Sequence, residues 1–306
     1  MKAIWLVELV ALTLVPPLLV GVIRKTKALA AGRVGPSLWQ LHRDLLKLAR
    51  KELALSGTTT WVFVVAPAIA LATALLGALL VPLGTLPAAI AFDGDFVLFA
   101  YVFALGRFFT AAAALDTGSP FEGMGASREV GFAWLTEPAL FFGFLVLARL
   151  SGAASLDRML RSTESSAWLE RTAPLVLVAA GLFVVLLTEC GRLPVDDPAT
   201  HLELTMIHEV MILDHSGPLL ALVEYAAALK LFVLSALLLH VVVPAAAFSG
   251  WSGFALFLGG LVAIAVAIGA VESTMARLRL LHVPTLLIAA ALSSGFALLF
   301  LAGGAP

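Results

Sequence analysis

Apolar runs of about the thickness of a bilayer alternate along this chain with polar breaks, and two of the breaks are longer and more charged than the others. A bilayer core takes about 20 apolar residues per helix. Eight stretches approach that length: 3–23, 60–82, 96–116, 129–150, 173–189, 218–241, 253–272 and 284–303. They are rich in Ala and Leu and lack the alternation of barrel strands. Between Leu231 and Val271 no Asp, Glu, Lys or Arg occurs, so the run is too long for one span. Pro244 and Ser249-Gly250-Trp251-Ser252-Gly253 supply the turn that divides it. The pattern predicts an all-α, polytopic membrane bundle of about eight transmembrane helices. It reads as a single integral membrane domain over 1–306, with loops at 24–59, 116–128, 190–217 and 273–283 on one side.

The two charged breaks are Gly32 to Glu52 and Glu189 to Gly217. In the first, Leu38, Leu41, Leu45 and Leu48 recur at helical spacing, with Gln40, Arg43, Asp44, Lys47 and Arg50 between them. That pattern predicts an amphipathic helix lying in the membrane interface; a basic loop that only sets topology is the plainer reading. The second holds six acidic residues, Glu189, Asp196, Asp197, Glu203, Glu209 and Asp214, together with His201, His208 and His215. Histidines seven apart are separated by about 10 Å along a helix, so no metal site is expected from them. Asp197-Pro198 is a candidate helix start, with Asp197 as N-cap. Loops of this kind offer a structured face to a partner.

Orientation follows from the basic residues. Twelve Lys and Arg fall in the loops after the first, third, fifth and seventh spans, against five on the other side. Both termini are therefore expected outside and the two charged loops in the cytoplasm. The N-terminal span reads as a retained helix, because its charges, Arg24, Lys25 and Lys27, follow the apolar stretch.

Composition narrows the chemistry. Charged residues make up 13% of the chain, about half the share in soluble domains, which is about 25%. A net charge of −1 implies no attraction to nucleic acid. The single cysteine, Cys190, excludes an internal disulfide and any cysteine-ligated cluster. Phosphate-binding, dinucleotide-binding and nucleophile-elbow motifs are missing. The chain has no self-sufficient catalytic constellation.

Charges inside spans are costly and usually mark an ion or proton path. Glu8, Arg107, Glu137, Glu224 and Lys230 are such charges. At a rise of about 1.5 Å per residue, Glu137, Arg107 and Glu224 lie roughly 10–14 Å from the cytoplasmic ends of their spans, so the three are expected to meet. Lys230, followed by His240, would carry the polar line toward the membrane centre. Buried carboxylates suit proton relay; static ion pairs that fix helix packing are the alternative. Arg107 is expected to act as counter-ion, since a guanidinium keeps its proton.

Several of these strings resemble a known family. Gly32-Arg33-Val34-Gly35-Pro36 with Gln40, Asp44, Lys47 and Lys51-Glu52 resembles the first cytoplasmic loop of the subunit 1 (H-type) proteins of respiratory complex I. Gly125-Ala126-Ser127-Arg128 with Glu137 is similar to that family's third loop and fourth helix. Glu189, Arg192, Pro194, Asp196, Pro198 and Glu203 match its acidic fifth loop, and Glu224-Tyr225 the Glu-Tyr pair of its sixth helix. The wording of DTGSPFEGMGASREV and PVDDPATHLELTMIHEVMILDHSG is closer to the membrane subunits of formate hydrogenlyase-like, group 4 membrane-bound nickel–iron hydrogenases. The fifth loop departs from the P-F-D-L-P-E-A-E-S-E-L wording of the quinone-reducing branch, which argues against a quinone site.

The resemblance implies a non-catalytic subunit of an oxidoreductase complex in a bacterial or archaeal cytoplasmic membrane. It would anchor the hydrogenase large and small subunits on its cytoplasmic face, beside antiporter-like membrane subunits. The nickel–iron centre and iron–sulfur clusters would belong to those partners, and this chain would hold no cofactor. Redox chemistry would be coupled to proton or sodium movement. By matched position and burial, Glu137, Glu189, Glu203, Glu224 and Lys230 are the relay candidates, and Arg107, Arg128 and Arg192 their electrostatic partners. Arg33, Asp44, Asp196 and Asp197 would face the docked arm. A quinone-chamber subunit of a complex I type NADH dehydrogenase is the alternative, and it would need a lipid-accessible tunnel between helix one, the amphipathic helix and helix six. A stand-alone secondary transporter is disfavoured, because no internal repeat is found.

Overall fold

A computed structural model describes residues 2–161, 172–197 and 206–303. Most of the described residues are helical, and none of them forms a strand. In chain order the helices are α1 (Lys2–Ala30), α2 (Gln40–Ala49), α3 (Trp61–Leu80), α4 (Asp95–Asp116), α5 (Pro120–Ser151), α6 (Leu156–Arg161), α7 (Thr172–Glu189), α8 (Gly217–Val242), α9 (Gly250–Thr274) and α10 (Val283–Gly303). Among the described residues seven helices are long and apolar enough to cross a membrane. The eighth expected span, 3–23, lies within α1.

Burial separates one helix from the rest. The most apolar stretch of α8 is 78% buried, whereas the other spans range from 22% to 50%. A helix that is apolar all round belongs in the centre of a bundle. Accordingly α8 packs against α1, α2, α3, α7 and α9. Around it α3 pairs with α4, α1 with α9, and α10 with α5 and α7. Glu224 and Lys230 are therefore carried into the middle of the protein by the one helix that every neighbour must approach.

Two acidic residues tie opposite ends of the bundle. At one end the Asp116 carboxylate accepts from the Thr60 backbone N–H at 2.6 Å and from the Thr60 hydroxyl at 2.9 Å, joining the end of α4 to the start of α3. At the other end Asp95, fully buried, accepts from the backbone N–H groups of Phe92 and Leu156 and from the Ser155 hydroxyl. Each satisfies backbone donors that a helix start leaves unpaired.

Two expectations change. The loop at 116–128 is helical from Pro120 onward, because Pro fits the first turn of a helix. The amphipathic helix forms, but Leu38 precedes it and is 42% exposed, so the inward stripe is Leu41, Leu45 and Leu48. The helix start at Asp197-Pro198 lies at the edge of, and mostly outside, the described residues. The break in the long apolar run falls where the turn residues stand: α8 ends at Val242 and α9 begins at Gly250.

Close approach fixes the fifth loop against α5. A side chain at Gly125 would place its Cβ 2.3 Å from Val210 and 2.9 Å from the Ile207 carbonyl. The glycine of the Gly-Ala-Ser-Arg string is thus the point where the loop's 3-10 turn, Glu209–Ile212, presses on the helix.

Candidate functional site

Four charged side chains from four helices meet in the interior. Arg107 on α4 donates one nitrogen to Glu137 of α5 at 2.9 Å and the other to Glu189 at the end of α7. The second oxygen of Glu189 lies 2.6 Å from the Lys230 ammonium of α8. The order Glu137–Arg107–Glu189–Lys230 alternates in sign and sums to zero. Side-chain exposure is 11% for Arg107, 9% for Glu189 and 16% for Lys230, so each charge depends on its partner. Glu137, at 36%, is the open end of the row. Lys230 also lies 5.8 Å from the centre of the Phe103 ring, a favourable cation–π distance.

Small gaps follow this row. One, of about 50 Å³, is lined by Arg107, Glu129, His208 and Lys230 among others. Two more, of about 10 and 20 Å³, touch Glu189 from either side, with Glu129 and Asp196 on one and Arg107 and Glu137 on the other. A single water needs about 10–15 Å³, so the row has room for water along it.

A much larger cavity, of about 560 Å³, lies beside it. It is framed by α1, α2, the start of the fifth loop, α8 and α9. Among the described residues seven acidic, basic and imidazole side chains face it, Arg24, Lys27, Arg192, His208, Glu209, Glu224 and Glu272, together with the Cys190 thiol. Glu272 has a side chain with no exposure and takes Lys27 at 2.9 Å and Arg192 at 3.5 Å, which closes the cavity's far wall. Burial pushes the Glu209 carboxyl above the usual carboxylate range. Burial also pushes the Cys190 thiol up to about 12, so it stays protonated.

The expected site residues separate into groups. Glu137, Glu189, Lys230 and Arg107 come together. Glu224 does not join them, contrary to the depth argument: equal depth leaves the rotation of α8 undetermined, and Glu224 faces the large cavity and forms no ion pair among the described residues. His240 does not extend the line from Lys230, since residues 231–239 between them are all buried and apolar except Ser235. Its ring packs between Phe248 and Phe257. Arg192 pairs with Glu272 rather than with a relay carboxylate. The Arg128 guanidinium donates to the Met206 carbonyl at 2.9 Å and so holds the fifth loop. Glu203 lies outside the described residues, and so does the Glu8 side chain.

Of the four residues expected at a partner interface, Arg33 is exposed, and Asp44 and Asp197 are half-buried. Asp44 accepts from Gln40 at 2.9 Å. Asp196 is a correction. It is 1% exposed, and its carboxylate takes the backbone N–H groups of Asp197, Ile207 and His208 and an ion pair with Arg277 at 2.9 Å. An acid with four internal partners closes the fifth loop on itself. Asp196→Asn should therefore lower stability by about 1–3 kcal/mol, the cost of weakening charge-assisted hydrogen bonds in a buried site. Thermal unfolding in detergent reads this, and a wild-type midpoint would return Asp196 to the surface role.

Glu129 and Glu272 were not singled out by sequence, and His208 stood out there only as one of the seven-spaced histidines weighed for a metal. Glu129 and Glu272 stand at the ends of their expected spans, where a charge is read as a loop residue. His215, the last of the seven-spaced histidines, stacks on Phe63 at 4.1 Å, and burial pulls it down to about 4, so it is a neutral packing group at pH 7.

Comparison with known proteins adds a second line. A family profile described as NADH dehydrogenase matches residues 2–303. The chain is 31% identical to formate hydrogenlyase subunit 4 of Escherichia coli (strain K12) over 304 residues, covering 97% of this chain and 96% of the relative. It is 33% identical to hydrogenase-4 component C of the same organism over 240 residues, 78% of this chain and 74% of the relative. Its fold superposes with a TM-score of 0.82, at 20% identity, on a chain of an archaeal respiratory membrane complex, the membrane-bound sulfane sulfur reductase, covering 95% and 97% of the two chains.

Proposed function

We propose a function from one premise: the chain belongs to the NADH dehydrogenase family, in its complex I subunit 1 (H-type) form. It is an integral membrane protein. In our reading it is the membrane anchor and ion-translocating subunit of a multi-subunit, membrane-bound nickel–iron hydrogenase of the formate hydrogenlyase type. The names of its two E. coli relatives support the hydrogenase assignment. Its cytoplasmic loops dock the hydrogenase large and small subunits, which hold the nickel–iron centre and the iron–sulfur clusters. Antiporter-like subunits lie beside it in the membrane, and both termini face outward.

One observation carries the ion-translocation reading. A 560 Å³ cavity rich in ionisable groups adjoins a buried, alternating row of charges with water-sized gaps along it. Structural ion pairs need no such gaps, and paired charges inside a bundle are the usual setting of proton relays. Glu224 and Glu209 receive protons in the cavity; Glu189, Arg107, Lys230 and Glu137 pass the charge change inward. The relay is a proposal for protons; sodium remains the competing ion in the test.

A quinone chamber is the second reading. The cavity lies between α1, α2 and α8, where a quinone tunnel would be sought. Its seven acidic, basic and imidazole side chains speak against that use, since sites for apolar ring compounds are lined mainly by apolar groups.

The test is purification of the intact complex in mild detergent, with metal analysis and hydrogen evolution from reduced viologen. Nickel with hydrogen evolution is the expected result; iron without nickel, together with quinone reduction, would replace it with the second reading. In inverted membrane vesicles Glu224→Gln should cut protons moved per hydrogen evolved about a hundredfold, the low end of what a positioned acid–base group contributes. Wild-type stoichiometry in Glu224→Gln would remove the cavity carboxylate from the path, and dependence on sodium in the wild type would change the ion.

A further inference from the structure

Among the described residues two line both the large cavity and the 50 Å³ gap beside the charge row, Ala227 and His208. Of these only the imidazole can carry a proton. His208 therefore stands in the wall between the two spaces, with Glu209 and Glu224 on the cavity side and Arg107, Glu129 and Lys230 on the other.

Its backbone is fixed on three sides. The His208 N–H donates to Asp196 at 2.9 Å, and its carbonyl accepts from Met211 at 3.1 Å. Gly191, at a φ of +55°, lies so close that a Cβ there would sit 3.1 Å from the His208 Cβ. The ring itself is held by no hydrogen bond among the described residues and is half-buried. A pinned backbone with an untethered imidazole differs from His215, which is stacked on Phe63, and from His240, whose Nδ1 lies 2.8 Å from the Ala236 carbonyl.

We propose that His208 is the joint through which a proton passes from the large cavity to the buried charge row. This rests on the proton-translocation reading above. A carboxylic acid in the cavity, Glu209 or Glu224, gives its proton to one ring nitrogen and becomes a carboxylate. The imidazolium then gives the proton on its other nitrogen to the Glu129 carboxylate, which becomes the acid. One proton enters the ring and one leaves; only N–H and O–H bonds change, and rotation of the ring restores the first tautomer. Imidazole suits this because its ordinary pKa lies near neutrality and its two nitrogens face different ways. Asp196 acts as a positioning residue, through the backbone of His208.

The experiment uses the whole complex in inverted membrane vesicles and reads protons moved per hydrogen evolved, with co-purification of the soluble arm as the assembly control. His208→Phe keeps a flat ring and His208→Gln keeps polarity; neither can relay. Both should fall about a hundredfold, and millimolar imidazole in the buffer, small enough for the cavity, should restore much of the loss in His208→Phe. Wild-type stoichiometry in either variant would overturn the joint while leaving the ion-translocation reading intact. Loss in both with no rescue would make His208 a packing group and overturn it as well. No proton movement in the wild type would overturn both readings together.

Discussion

Replacing Glu189 by Gln should both uncouple the protein and lower its unfolding temperature by several degrees. Glu189 is the centre of the charge row: one carboxylate oxygen takes Arg107 and the other lies 2.6 Å from Lys230. An amide keeps the shape and loses the charge. Arg107 would keep its pair with Glu137, while Lys230 would lose the carboxylate it is paired with. Removing one partner of a buried ion pair costs about 3–5 kcal/mol, because the other charge stays desolvated. Scanning fluorimetry of the complex in detergent reads the stability, and proton uptake by inverted vesicles reads the coupling. Glu189→Asp, which keeps the charge on a shorter stem, should lie between. An unfolding midpoint within a degree of wild type would mean that Arg107 and Lys230 find water instead of depending on this carboxylate.

The second large effect is expected at the far wall of the cavity. Glu272→Gln would leave Lys27 of α1 and Arg192 of the fifth loop facing one another without an anion. The Glu272 side chain is fully buried, and Arg192 is 12% exposed, so the lost pair again costs about 3–5 kcal/mol. Lys27, at 28%, can turn toward water and recover part of that. The double variant Lys27→Met, Glu272→Gln should therefore be more stable than Glu272→Gln alone, since one stranded cation is gone. Such a double-mutant cycle isolates the pair. Additive losses in the two single variants would show that Glu272 acts by its packing and not by its charge.

These two carboxylates show where sequence reasoning reached and where it stopped. The apolar spans, the interfacial helix and the break near Pro244 are all set by local pattern, because a bilayer rewards length and apolarity residue by residue. The meeting of Arg107 with Glu137 was also legible: a charge in a span has few stable places, and an opposite charge at equal depth is one of them. Glu224 was placed wrongly by the same argument. Depth comes from counting residues, but the direction in which a side chain points comes from how its helix is turned against its neighbours. α8 is apolar on every face, so its sequence carries no stripe to fix that rotation.

The end residues were hidden for a related reason. Glu129 and Glu272 stand where a span gives way to a loop, and a charge there is cheap if water reaches it and costly if another helix covers it. Asp196 was read as a surface acid because its loop is rich in charge; only the folded loop brings Ile207 and His208 back over it. The amino-acid sequence by itself determined the all-helical membrane architecture and the residue types available for moving charge, because hydrophobic length and the cost of a buried charge are local properties. The tertiary structure alone decided which charges share a site, because ion pairing falls off within a few ångströms and those distances exist only after the helices have packed.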